Sequence, residues 1–219
     1  GSKAFLPHHR AGGSKLGGDC YEGVGPLKRL TEYLLDFANR RIHTRQYGFW
    51  MQAASVALKL HRFLFKEDEI EGNWYGNDTV WRMVLDLNRI ARYGRVDGTL
   101  SESPMRKVFS LTDGMIAGEG FGPLAPEPKP MGCVTFAENP LFADLCHTAL
   151  MGFDWRKIQL IKNGFNAYRY RLTCYPSIDL AVFCKGRSYG YDEVAYRYGS
   201  PFKPPPGWKG HIEHDMAEV

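Results

Sequence analysis

The order of the hydrophobic periodicities constrains the fold of this chain most, because helical spacing dominates the first 93 residues and strand-like alternation appears only afterwards. Helical spacing predicts helices at residues 26–45, 49–65 and 77–93. Alternation and β-forming residues predict strands at residues 107–112, 132–137 and 178–184. Cap signals predict two more helices, at residues 140–151 and 154–164. We therefore expect a mixed α/β fold in a single domain, residues 3–215, with a small sheet flanked by helices.

Glycine and proline mark the segments in which we expect no regular structure. Residues 113–130 between the first two predicted strands are rich in turn formers, and the tail from Gly199 contains four prolines. Proline lacks the N–H that a helix or central strand needs, so this tail is expected to wrap the surface irregularly.

The helix predicted at residues 49–65 carries apolar residues over an arc too wide for one buried stripe. Such a helix packs on two sides or against another chain. His43 and His61 lie among basic residues in this helical region, and both are expected at the surface.

Composition narrows the functional class. The chain has 28 basic and 24 acidic residues and a net charge of +4, which is too balanced for a dedicated nucleic-acid binder. Its five cysteines form an odd set without a CxxC pair, which favours a reducing, cytoplasmic location over a disulfide framework. No stretch approaches the roughly 20 apolar residues of a membrane span. Neither nucleic acid nor membrane is expected as a partner.

The segment DGMIAGEGFGPL at residues 113–124 sets two carboxylates among glycines directly after a predicted strand. Glycines let backbone N–H groups approach a ligand, while carboxylates transfer protons or hold a metal. The pattern predicts a site in which Asp113 and Glu119 are catalytic groups or ligands of a divalent metal. The substrate-binding glycines would be Gly118, Gly120 and Gly122. The alternative interpretation is a strand-to-loop turn with an Asp-Gly hairpin.

This segment differs from the common nucleotide-binding fingerprints. Gly122 is followed by Pro123 and proline-rich chain, whereas a dinucleotide fingerprint continues into a helix that holds pyrophosphate. The Gly-Lys-Ser/Thr ending of a P-loop is also absent from the segment. Nothing here favours a nucleotide cofactor.

Two further motifs combine residue types that bind anions or transfer protons. His8 and His9 are candidate catalytic residues, and the adjacent Arg10 would clamp a phosphate or carboxylate of the substrate. Asn77 and Asp78 stand at a predicted helix N-terminus, where N–H donors suit an anionic substrate. Helix capping accounts for one of these two residues but not for both.

On the helix predicted at residues 140–151, Asp144 and His147 lie three residues apart and therefore share a face. This spacing suits two metal ligands, with Asp144 completing the metal set of Asp113 and Glu119, or a carboxylate that orients an imidazole. An ordinary intrahelical pair is the alternative.

Several stretches together resemble the family catalogued as domain of unknown function 362, particularly the subgroup found with bacterial polysaccharide-biosynthesis genes. They are FLPHHR at 5–10, residues 17–19, GNWYGNDTVWRMVLDL at 72–87, DGMIAGEGFGPL at 113–124, residues 139–154 and GWKGHIE at 207–213. The family pattern has an upstream half, so the resemblance implies the C-terminal part of the domain, truncated at its N-terminus. Some relatives carry a cysteine cluster for a four-iron centre; this sequence lacks that spacing, so no iron–sulfur centre is expected.

Two hypotheses follow. In the first, the protein is an enzyme acting on a small anionic metabolite linked to bacterial polysaccharide biosynthesis, with an acidic glycine-rich site that would take a divalent metal. In the second, it is a non-catalytic binding or assembly module in which the helices of residues 26–65 form a homo-oligomer interface.

Overall fold

The computed structural model describes residues 26–65, 73–123, 125–176 and 180–214. These residues divide into two compact units. The first unit contains the residues up to Trp81 together with Pro206–Trp208, and the second contains Arg82–Pro205 and the residues from Lys209 onward. Within the described ranges, no helix is long and apolar enough to cross a membrane.

The first unit is built on two helices that pack against each other, α1 (Pro26–Asn39) and α2 (Tyr47–Phe65). The buried residues are Thr31, Leu35 and Ala38 on α1, and Ala54, Ala57 and His61 on α2. The rings of Phe37 and Trp50 meet edge to face, with centroids 4.6 Å apart. The helical pattern of the sequence is confirmed, although α1 ends six residues earlier than predicted.

The surface position predicted for His61 is wrong. Its side chain is buried, and its ring centroid lies 4.7 Å from that of Phe65, one turn later on α2. The basic neighbours of His61 in the sequence point elsewhere because residues next to each other on a helix are turned about 100° apart. His43 lies in the turns that follow α1 rather than on a helix.

The third helix, α3 (Val80–Tyr93), begins three residues later than predicted and ends at the predicted residue. The side-chain oxygen of Asn77 accepts hydrogen bonds from the N–H groups of Thr79 and Val80, at 3.1 and 2.8 Å. Asn77 is therefore the N-cap, satisfying amides that the first turn of a helix leaves unpaired.

The main correction concerns residues 113–130, which are not a turn-rich connection. They form most of a long antiparallel hairpin, β1 (Ser110–Phe121) and β2 (Ala125–Ala137), in which Phe121 pairs with Ala125. Three prolines of β2 recur at every second residue, Pro126, Pro128 and Pro130. All three proline nitrogens can therefore face the open edge of the hairpin, where no N–H is needed for pairing with β1. Proline at these positions does not prevent the strands from pairing.

Local signals place α4 accurately, whereas the single helix predicted at residues 154–164 is a 3₁₀ turn followed by a shorter helix. Asn139 caps α4 (Pro140–Met151) by accepting a hydrogen bond from the N–H of Leu141 at 3.0 Å, and Gly152 ends it with a φ of 71°. Asp154 caps a 3₁₀ turn, Trp155–Lys157, which precedes α5 (Gln159–Gly164). Leu145 of α4 is completely buried and lies at the centre of the second unit's core.

The second unit is completed by a short hairpin, β3 (Val182–Cys184) and β4 (Arg187–Tyr189), and by α6 (Tyr191–Tyr198), which packs on α4. The sequence predicted only the first of these strands and did not predict α6, and residues 178–179 of the predicted strand lie outside the described residues. Over residues 199–214, which the structure describes, the tail after α6 has no helix or strand. The mixed α/β class is confirmed, but the described strands form two separate two-stranded sheets.

Candidate functional site

The two carboxylates of the glycine-rich segment lie on one strand but far apart. Asp113 and Glu119 are six residues apart on β1, which corresponds to roughly 20 Å along a strand. A register shift between Gly114 and Ile116 separates them, with Asp113 exposed and Glu119 half-buried. One oxygen of Asp113 accepts a hydrogen bond from the N–H of Met115 at 3.0 Å. In this arrangement the two carboxylates cannot bind one metal ion together.

Glu119 joins the hairpin to the tail. Its carboxylate accepts hydrogen bonds from the Lys129 ammonium on β2 and from the N–H of Lys203 in the tail, both at 3.0 Å. The Lys203 ammonium also pairs with Glu127 at 2.5 Å. The backbone hydrogen bond from Lys203, followed by the bond from Lys129, lowers the pKa of Glu119. Glu119 is thus a charged anchor rather than a group poised to accept a proton near neutral pH.

The glycines beside Glu119 are explained by the same packing. A Cβ on Gly118 would lie 2.8 Å from the Cβ of Pro126, which is closer than real side chains approach. Gly120 has a φ of 74°, which favours glycine, and its N–H donates to the carbonyl oxygen of Lys203 at 2.9 Å. The N–H of Gly122 donates to the carbonyl oxygen of Gly120 at 2.9 Å. Two of the N–H groups that the sequence assigned to a ligand are therefore engaged within the protein.

Asp144 and His147 share a face of α4, as their spacing predicts, and the imidazole connects α4 to the hairpin. The Nε2 atom of His147 lies 2.9 Å from the hydroxyl of Thr135 on β2. Burial lowers the pKa of His147, and Asp144 opposes that shift. Neighbouring protein atoms desolvate Asp144 and raise its pKa, even though much of this residue's surface remains open to solvent. Burial therefore favours the neutral form of the His147 imidazole.

The remaining predicted residues divide into two groups. Asn77 is the cap of α3, and Asp78 accepts a hydrogen bond from the indole of Trp81 at 3.1 Å. The predicted residues of the first loop, His8, His9 and Arg10, lie outside the described residues. Across the described ranges, no three His, Cys, Asp or Glu side chains lie close enough to hold a metal ion.

A cleft of about 470 Å³ lies in the second unit, and it brings together arginine and tyrosine side chains from distant parts of the sequence. Its wall is formed by α3 on one side and by residues 168–170 on the other. Two arginines, two tyrosines, two aliphatic residues and one carboxylate line it: Arg89, Arg169, Tyr168, Tyr170, Ile90, Leu100 and Asp86. We call this the arginine–tyrosine cleft. The cleft is shallow and open to solvent.

Arg89 is held in place inside the arginine–tyrosine cleft. Its guanidinium pairs with Asp86 at 2.7 Å, and its Nε donates to the carbonyl oxygen of Tyr170 at 3.3 Å. The carbon at the centre of the guanidinium lies 4.5 Å from the ring centre of Tyr168, which is a cation–π contact. Only 15% of the Arg89 side chain is exposed. The positive charge is therefore oriented before any ligand arrives.

Arg169, across the cleft, is oriented differently. Its guanidinium forms an ion pair with Glu102, and this hydrogen-bonded contact raises the pKa of Arg169. Both side chains of the pair are about 70% exposed, and exposed ion pairs contribute little to stability. An anionic ligand can therefore replace Glu102 on Arg169 at small cost.

The irregular segment that carries Tyr168 and Arg169 is fixed to α3 by side chains that donate to its backbone. The Tyr93 hydroxyl donates to the carbonyl oxygen of Arg171 at 2.5 Å, and Arg92 donates to that of Leu172. Asn139, the cap of α4, also donates to the Leu172 carbonyl, at 3.0 Å. The two contacts from α3 join residues 78 and 80 positions apart, and that from Asn139 joins residues 33 apart, so the cleft depends on tertiary structure.

The sequence analysis did not predict this cleft, although two patterns in the sequence point to its residues. Residues 168–171 alternate tyrosine and arginine, and Asp86 and Arg89 have the spacing of an intrahelical ion pair. Neither pattern alone distinguishes a binding site from a polar surface.

Comparison with known proteins identifies no relative, since no protein-family model, curated protein or solved structure matches the chain. The resemblance to domain of unknown function 362 therefore stays a prediction.

Proposed function

We propose that this protein binds a small anionic metabolite in the arginine–tyrosine cleft. The observation that carries the proposal is the position of Arg89, a largely buried guanidinium fixed by Asp86 and by the face of Tyr168. Guanidinium groups match the geometry of phosphate and carboxylate, and a group that is already oriented loses little entropy on binding.

The other lining residues indicate what else the ligand carries. Arg169 supplies a second positive charge, and the rings of Tyr168 and Tyr170 supply faces on which a sugar or base can pack. Asp86 keeps acceptor positions for hydroxyl groups, because an ionised carboxylate accepts several hydrogen bonds. A phosphorylated sugar or a nucleotide sugar has all of these features. Such ligands agree with the link to bacterial polysaccharide biosynthesis that the family resemblance implies.

Catalysis on that metabolite is a further prediction. The acidic residues Asp113 and Glu119 do not line the arginine–tyrosine cleft, so the proposal concerns binding there and assigns them no chemical step.

Isothermal titration calorimetry with a panel of sugar phosphates and nucleotide sugars tests the proposal. Arg169→Gln removes one charge from an exposed position and should leave the fold intact. Losing a charge-assisted hydrogen bond costs about 1.5–3 kcal/mol, so we expect the affinity to fall roughly 10- to 150-fold. The corresponding neutral sugars should bind far more weakly than their phosphates.

The matched control is Arg187→Gln, the same substitution at an exposed arginine of β4 that does not line the cleft. It should change the affinity by less than about twofold, in keeping with weak exposed charge interactions. Equal losses in both variants, or no binding by any member of the panel, would refute the proposal.

A further inference from the structure

The helix α2 has a second apolar stripe that faces solvent in the described structure. One stripe, containing Ala54, Ala57 and His61, is buried. The other contains Phe49, Val56, Leu60 and Phe63, which keep between 46% and 81% of their surface exposed. Ala53 lies between them and is half-buried. At 100° per residue, the two stripes are roughly 100° apart around the helix.

The spacing of the exposed stripe identifies the kind of partner. From Phe49 the positions advance by four, three, four and three residues, through Ala53, Val56 and Leu60 to Phe63. This is the alternating spacing with which one α-helix packs along another in a heptad arrangement. The partner is therefore a helix with a similar stripe.

The stripe is complementary to itself in the antiparallel direction. It is nearly symmetric about Val56, so two antiparallel copies would pair Phe49 with Phe63 of the second copy and Val56 with its own equivalent. Ala53 would then face Leu60, which sets a small side chain against a larger one, as close packing requires.

The exposed area is sufficient for a stable interface. Together with Leu64, the stripe leaves on the order of 500 Å² of apolar side-chain surface exposed, taking about 200 Å² for each full aromatic side chain. A standard interface buries roughly 600–1,000 Å² per partner, of which somewhat more than half is apolar.

We propose that two copies of this chain associate through α2, antiparallel, with the symmetry axis close to Val56. This goes beyond the proposed ligand binding and is independent of it, because every residue that carries it belongs to the first unit.

Analytical ultracentrifugation over a range of concentrations tests the association. The unchanged chain should form a dimer, and Val56→Glu should weaken it at least about 100-fold, because two unpaired carboxylates would be buried at the axis. Ser55→Glu is the matched control: it adds the same charge to the same helix at an exposed position turned about 100° away. It should leave the dimer unchanged, and circular dichroism of both variants should show equal helix content.

Disulfide trapping tests the direction. Under mild oxidation Val56→Cys should give a covalent dimer beyond the background of the unchanged chain, whereas Phe63→Cys should not, because antiparallel helices hold the two copies of residue 63 far apart. Efficient trapping through residue 63 would overturn the antiparallel arrangement. A monomer at all concentrations, or a dimer that Val56→Glu leaves intact, would overturn the interface itself.

Discussion

The hydrogen bond from Tyr93 to the backbone of residue 171 should contribute a measurable part of the stability of the arginine–tyrosine cleft. Tyr93 is 5% exposed, and its hydroxyl donates to the carbonyl oxygen of Arg171 at 2.5 Å. Tyr93→Phe removes this bond but keeps the ring and its contact with Tyr170, whose centroid lies 5.4 Å away. The substitution therefore isolates one donor without opening a large cavity.

The expected magnitude is modest. A typical intramolecular hydrogen bond contributes about 0.5–1.5 kcal/mol net, and Arg171 is an exposed residue whose carbonyl can partly regain water. We expect a loss of about 1 kcal/mol. At a denaturant dependence of about 2 kcal/mol per molar urea, the unfolding midpoint should fall by about 0.5 M.

Urea unfolding followed by circular dichroism measures this shift, with Tyr196→Phe as the control. Tyr196 on α6 is 82% exposed, so removing its hydroxyl should change stability by less than about 0.5 kcal/mol. If the two variants unfolded at the same urea concentration, the reasoning that α3 fixes the cleft wall through this bond would be wrong.

Three other predictions concern the core, the hairpin and the glycines. Leu145→Ala should destabilise the protein by about 3–5 kcal/mol in urea unfolding because Leu145 is fully buried, whereas Leu111→Ala, 74% exposed on β1, should cost less than about 0.5 kcal/mol. The pKa of Glu119 is lowered in the folded state, so its contribution is present above pH 4.5 and is lost as pH falls through the folded pKa. The melting temperatures of the unchanged chain and Glu119→Gln should therefore converge on acidification, and a constant difference down to pH 3 would contradict this. A Cβ on Gly199 would lie 2.2 Å from the carbonyl oxygen of Ala195, whereas one on Gly48 in α2 meets nothing within 4 Å. Thermal unfolding should therefore show Gly199→Ala destabilised by about 1–3 kcal/mol and Gly48→Ala stabilised by about 0.5–1 kcal/mol.

Most of the helices were predictable because their signals are local, although α6 was not predicted. Asn139 caps α4, Pro140 occupies its first turn and Gly152 ends it, and each of these roles depends on residues a few positions away. The same holds for Asn77 at the start of α3. For His61, the helix was predicted correctly but the burial of the side chain was not. The surface prediction relied on the charged neighbours of His61 in the sequence, which lie on other faces of the helix.

The long hairpin could not be predicted from local signals. Glycine and proline in residues 113–130 usually indicate turns, but here each glycine's partner across the hairpin decides the structure. Gly118 lies opposite Pro128, and Gly120 lies opposite Pro126. Because that register is a long-range property, the sequence favoured an acidic loop over two paired strands.

The candidate site was even less predictable from local signals than the hairpin. Asp113 and Glu119 are close in sequence, yet the extended strand separates them. Arg89 and Tyr168 are 79 residues apart in sequence, yet their side chains are in contact. Convergence of side chains from distant segments depends on tertiary packing, which no spacing rule in the sequence describes.

The most direct test of the proposed function is a nuclear magnetic resonance titration of the isotope-labelled protein with the sugar phosphate or nucleotide sugar that binds best. The proposal predicts that the largest chemical-shift changes fall on residues 86–90 and 168–170, with little change along β1. Changes concentrated on residues 113–121 instead would place the ligand at the acidic strand and contradict the assignment of the arginine–tyrosine cleft.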